Sequence, residues 1–137
     1  MAAIRHQINI AVPVRTVWNA LTTESGLVSW WADKARVDAR PGGRIVLQRA
    51  GAEGETEERG IFHELRPTRR IEIAWDTNSP GPSRGTRVAF QVARDGDETR
   101  VALVHSGGGA LDEDESRAAL ESEWKDRLNK LRAALEA

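Results

Sequence analysis

Between residues 34 and 105 the chain passes through six short segments in which apolar and polar side chains alternate, and then enters one long stretch with a single apolar stripe. Nothing else in the sequence restricts the fold as strongly. Period-2 segments joined by short turns build an antiparallel sheet with one buried face. A helix that is apolar on one side only has to lie across such a face.

The segments read in order. Ala35, Val37 and Ala39 alternate with Lys34, Arg36, Asp38 and Arg40, and Pro41-Gly42-Gly43 turns the chain into a strand over residues 44–50. A turn at Gly51 to Gly54 leads through the acidic stretch Glu55 to Glu58 into a strand over residues 60–65, ended by Pro67 and Thr68. Ile71, Ile73 and Trp75 form the next inward set, and the loop from Asn78 to Ser83, with two prolines and a glycine, breaks the ladder. Val88, Phe90 and Val92 follow, Asp95-Gly96-Asp97 makes a hairpin turn, and Thr99, Val101, Leu103 and His105 complete the last strand. Beyond the glycines at 107–109, Asp112 with Glu115 predicts a capping-box start. Leu120, Trp124, Leu128, Leu131 and Leu135 then mark a helix of about 24 residues at the 3.6-residue period.

Ahead of the sheet, residues 4–11 predict one more strand. Pro13 suits the first turn of a helix, whose buried face is Val14, Val17, Trp18 and Leu21. Thr23 predicts the cap of a second short helix running from Leu27 towards Trp31. The 137 residues thus form a single α+β domain, 1–137, with no internal repeat.

Composition removes several function classes. A net charge of −1 argues against a sequence-independent nucleic-acid binder. With no cysteine there is no disulfide, thiolate metal site or cysteine nucleophile. No stretch approaches the roughly 18 apolar residues of a membrane span, and the first ten residues have no signal-peptide pattern, so a cytoplasmic location is expected. Arginine makes up 17 of the 20 basic residues, a bias consistent with a GC-rich bacterial genome.

The aromatic inventory is uneven: five tryptophans, two phenylalanines and no tyrosine. Trp18 lies on the first helix, Trp30 and Trp31 follow the second, Trp75 ends a strand, and Trp124 stands on the last helix's stripe. Each offers a broad apolar face and one N–H that wants an acceptor. Drawn from both ends of the chain, they predict an aromatic core or pocket wall closed by the C-terminal helix.

Several segments together carry a family pattern. They are Val12-Pro13-Val14 with Val17-Trp18 and Ala20-Leu21, the pair Trp30-Trp31, Pro41-Gly42-Gly43, Gly60 through Pro67, the strand ending at Trp75, the stretch from Glu98 to Gly107, and Trp124 with Leu128 and Leu131. In this order and spacing the chain resembles the SRPBCC (START-like) superfamily, in the branch of activator of heat-shock protein 90 ATPase homologues, over residues 4–135. Where that family usually places glycine before the helix tryptophan, this chain has Glu123.

The resemblance implies a helix-grip fold: a curved antiparallel sheet of six to seven strands wrapped around the long C-terminal helix, with two short helices after the first strand. It also implies a cavity between sheet and helix, which relatives use for lipids, polyketides or other apolar molecules. No cofactor is implied. The expected partner is a small apolar or aromatic molecule, held by Trp30, Trp31, Trp75, Phe90, Leu103, Trp124 and Leu128, with His105 as the polar anchor. No catalytic motif is present, but His105 would be the acid or base of a cyclase- or hydrolase-like alternative. A further alternative is a chaperone-regulating module; eukaryotic relatives of that kind carry another N-terminal domain, and this chain starts directly at its first strand, so the role is not expected. Nothing in the sequence sets the number of subunits.

The other polar residues carry less. His63 shares parity with Ile61 and Leu65 while Phe62 has the opposite parity, so a bulge there would decide which faces inward. His6 is expected on the open face of the first strand. Three isolated histidines make no metal site. The run from His105 to Gly109 has neither a nucleophile elbow nor a phosphate-loop lysine, which leaves it a flexible connector. Glu55, Glu57 and Glu58, with Arg69 and Arg70, are expected to be a solvated edge and turn.

Overall fold

In the computed structural model, residues 3–51, 54–81 and 83–137 are described. Ala52 and Glu53 of the expected turn at 51–54, and Pro82 of the expected loop at 78–83, lie outside them. The strands are β1 (Ala3–Ile10), β2 (Lys34–Val37), β3 (Arg44–Gly51), β4 (Gly54–Arg66), β5 (Arg70–Trp75), β6 (Arg87–Asp95) and β7 (Glu98–Ser106). The helices are α1 (Val14–Thr22), α2 (Glu24–Val28) and α3 (Asp114–Glu136). All seven strands form one antiparallel sheet in the order β1-β7-β6-β5-β4-β3-β2. The curved sheet and the long helix across it make the α+β helix-grip fold.

Alternation decides which side chains line the concave face. Ile4 and Ile10 of β1, Ile45 and Leu47 of β3, Ile71, Ile73 and Trp75 of β5, Val88, Phe90 and Val92 of β6, and Val101 and Leu103 of β7 are all buried there. From α3, the stripe Leu120, Trp124, Leu128 and Leu131 seals the layer. The residue before that tryptophan, Glu123, points outward and pairs with Arg127 at 3.1 Å, so the helix seats fully without the family's usual glycine.

Three boundaries differ from the sequence reading. β2 stops at Val37, because Asp38 N–H bonds back to Arg44 O and Arg40 N–H to Asp38 O, folding residues 38–43 into a turn. β4 begins at Gly54, so the acidic stretch is strand, paired residue by residue with β3. At the C-terminal helix, residues 109–112 form a 3-10 turn that buries Leu111, and α3 starts behind Glu113 without a side-chain cap. The cap position, Glu113, lies one residue beyond the expected cap at Asp112, behind the turn that buries Leu111. Thr23 does cap α2, accepting from Gly26 N–H at 3.0 Å.

A register shift between Phe62 and Glu64 settles the histidine question. Phe62 is buried, Leu65 packs against the core three residues on, and His63 at the irregularity is exposed. His6 shares parity with the inward Ile4 and Ile8, and its Nε2–H donates to Glu121 O of α3 at 3.3 Å. That side chain therefore faces the helix, contrary to its expected place on the open face. Among the described residues no helix is long and apolar enough to cross a membrane.

Candidate functional site

Trp31 sits at the centre of the molecule's aromatic interior. α2 ends at Val28, and the turn behind it drops Trp30 and Trp31 into the space between sheet and helix, each 4% exposed. The Trp31 ring lies 5.1 Å from Trp30, 5.3 Å from Trp124, 5.8 Å from Phe90 and 6.0 Å from Trp75, centroid to centroid. Most of these meetings are edge to face or tilted, the arrangement ring quadrupoles favour. Gly60 on β4 faces Trp75 on β5. A Cβ there would come within 2.9 Å of the Trp75 ring and 2.7 Å of Ala74 O, so glycine is what lets this indole lie flat on its neighbour strand.

The tryptophans differ in how they are tethered. Trp30 Nε1–H donates to Ala20 O at 3.0 Å, and Trp124 Nε1–H to His105 Nδ1 at 2.9 Å. The indole N–H groups of Trp31 and Trp75 are buried with no acceptor among the described residues. An unpaired buried donor costs about 1–3 kcal/mol.

His105 is fully buried on β7. Because Trp124 donates to Nδ1, the proton sits on Nε2, which donates to Thr86 Oγ1 at 2.8 Å. The Thr86 hydroxyl in turn donates to Ser83 O. Burial pushes the His105 pKa down to about 4, with Arg127 adding to the effect and Glu58 opposing it. The ring is neutral at pH 7, and both nitrogens are engaged. It holds α3 and the 83–86 turn to the sheet, and it has no free nitrogen for proton transfer.

A charged group closes one end of the aromatic cluster. Arg49 of β3 shares the inward parity of Ile45 and Leu47, and Glu58 of β4 shares that of Gly60 and Phe62. The two form an ion pair in which the Glu58 side chain is 5% exposed. One Arg49 nitrogen, Nη1, is buried without an acceptor among the described residues. Above them, the Arg127 guanidinium lies 4.9 Å from the centroid of the Trp124 ring, a cation–π contact. Burial and the nearby Arg49 charge both lower the Arg127 pKa, while Glu123 and Glu58 pull it up.

The structure thus gathers Trp30, Trp31, Trp75, Phe90, Trp124 and His105 into one cluster, with Leu103 and Leu128 in the same core. The rings fill the space they share. Two surface grooves lie elsewhere: one of about 960 Å³ along the outer side of β2 and β3, and one of about 520 Å³ beside the turn between β4 and β5. Neither is lined by a tryptophan. Among the described residues no group of three or more histidines and carboxylates is arranged to hold a metal.

Sequence reasoning missed Arg49, Glu58, Thr86 and Arg127. Glu58, expected in a solvated edge, is buried because strand parity, not local charge, sets its direction. That parity follows from Phe62, whose direction only the register shift after it fixes, and Arg127 stands three residues past Trp124 on the helix.

Comparison with known proteins agrees with the fold. The family model described as Activator of Hsp90 ATPase homolog 1-like protein matches residues 11–136. No curated protein sequence matches the chain. Among solved structures, the Aha1 dimer from Colwellia psychrerythraea is similar at 26% identity and a TM-score of 0.83, covering 99% of this chain and 97% of that one. A protein from Nitrosomonas europaea is similar at 20% identity and a TM-score of 0.82, over 98% and 94% of the two chains. DynU16, a protein of the dynemicin biosynthetic locus, is similar at 18% identity and a TM-score of 0.85; all of this chain matches 48% of that one.

Proposed function

The chain belongs to the family of Activator of Hsp90 ATPase homolog 1-like proteins, whose fold is that of a ligand-binding domain, and from that premise we propose that it binds a small aromatic molecule between the sheet and α3. The walls are Trp30, Trp31, Trp75, Phe90, Leu103, Trp124 and Leu128, and His105 is the polar post that holds the Trp124 wall in place.

One observation carries this reading: Trp31 touches four other rings, yet among the described residues no hydrogen bond ties its indole down. Core tryptophans usually spend their N–H on an acceptor, as Trp30 and Trp124 do here. A ring held by stacking alone, on a turn and not within a helix, is the one a flat ligand can displace. The ligand then inherits its aromatic contacts.

The test is a fluorescence titration of the whole chain against a panel of aromatic, lipid-like and polyketide-like molecules. Saturable quenching of tryptophan emission with a raised melting temperature is expected for at least one class. Emission and melting temperature unchanged across the panel would overturn the reading.

The family match favours one other role, regulation of a chaperone ATPase. Its test is the ATPase rate of a bacterial chaperone of the ninety-kilodalton heat-shock class with and without this chain. An unchanged rate removes it.

A further inference from the structure

Apolar walls do not account for the charged end of the interior. Arg49 and Glu58 stand on the helix-facing side of the sheet, where neighbouring positions are apolar. Three buried N–H groups here lack an acceptor among the described residues: Arg49 Nη1, Trp31 Nε1 and Trp75 Nε1. Arginine and indole nitrogens donate only. Nearby, Glu58 Oε1 already accepts from Arg49 and His105 Nδ1 from Trp124. Arg127 adds a second positive charge over the Trp124 ring, balanced by Glu123, whose side chain is half exposed. Among the described residues the interior therefore holds hydrogen-bond donors that its own acceptors leave unpaired, while Glu58 and Glu123 balance the charges of Arg49 and Arg127.

We infer that the ligand of this site is an aromatic carboxylic acid bound as its anion, its ring among the tryptophans and its carboxylate at Arg49. A carboxylate accepts without donating, as the three unpaired donors require, and a guanidinium with an unpaired nitrogen recognises it directly. A plain hydrocarbon ligand would leave all three donors unpaired. The inference rests on the reading of the interior as a binding site and specifies its chemistry.

The experiment compares 2-naphthoate with its methyl ester, which have the same ring but differ in charge, by tryptophan quenching on the full chain near neutral pH. The acid is expected to bind at least about tenfold more tightly than the ester. In the double variant Arg49→Met/Glu58→Leu, which removes both charges and strands neither, that preference should collapse while ester binding persists. Trp75→Phe keeps a ring and loses the N–H, and should weaken the acid more than the ester. Should the double variant fail to fold by circular dichroism, Arg49→Lys serves instead; it keeps the charge, loses the fork and should reduce the preference. Equal binding of acid and ester, or a preference untouched by the Arg49 substitution, overturns the inference while leaving the binding site standing. Failure of both molecules to bind overturns the inference, and failure of the wider panel as well overturns the site reading with it.

Discussion

Trp124 donates its indole N–H to Nδ1 of His105 across 2.9 Å of dry interior, joining the C-terminal helix to the last strand by one bond between two fully buried rings. The bond requires a neutral imidazole, because a protonated His105 would present a second donor to a donor.

Acid should therefore weaken the fold in a defined window. Unfolded, the histidine takes a proton near 6.5; folded, it resists until about 4. Above 6.5 both states are neutral and the stability is intact. Between 6.5 and about 4 the unfolded chain binds the extra proton and stability falls, by about 3 kcal/mol at most, with nothing further lost from this group below that. Urea unfolding at a series of pH values checks this. A His105→Ala variant, less stable throughout, should give a flatter profile in the same window.

Thr86→Val keeps the side chain's shape and deletes the hydroxyl that accepts from His105 and donates to Ser83. The stranded Nε2–H should cost about 1–3 kcal/mol. Chemical denaturation measures the loss, and far-UV circular dichroism should be unchanged.

Removing one member of the Arg49–Glu58 pair leaves the other charge in a largely dry place. Glu58→Leu should cost about 2–3 kcal/mol, below the range for a wholly buried pair because Arg49 is partly hydrated. Adding Arg49→Met should recover much of that loss. A double-mutant cycle reads the difference, and additive costs would mean that the pair is not coupled.

Gly60→Ala puts a methyl group against Ala74 O and the Trp75 ring. Backbone cannot yield as a flexible side chain can, so a loss of about 1–3 kcal/mol is expected. The near-UV circular dichroism of the aromatic cluster should shift as Trp75 is pushed from its seat.

Much of this molecule was legible in its pattern. Period 2 in the middle of the chain and period 3.6 at its end specify sheet and helix, and Thr23 capped the helix it was expected to cap. What escaped the reading shares one cause: each element was judged by its own residues. Glu58 reads as surface until its parity is counted from Phe62 across a 13-residue strand. His6 reads as open-face until α3 is laid beside β1. The helix start moved because Leu111, isolated in sequence, has a core to enter. The eight candidate site residues follow from aromatic character, strand parity and the helical stripe, whereas the ion pair beside them carries none of these signals.

The sheet order has a consequence for how the chain is made. Ile4 lies opposite His105, so the first strand of the sheet to leave the ribosome pairs with the last, roughly a hundred residues later. The β2–β7 meander can zip up through neighbouring hairpins as it emerges, while β1, with Ile4, Ile8 and Ile10 on one side, waits unpaired. Synthesis thus leaves a sticky strand exposed until the end, and the arrival of β7 and α3 shelters it.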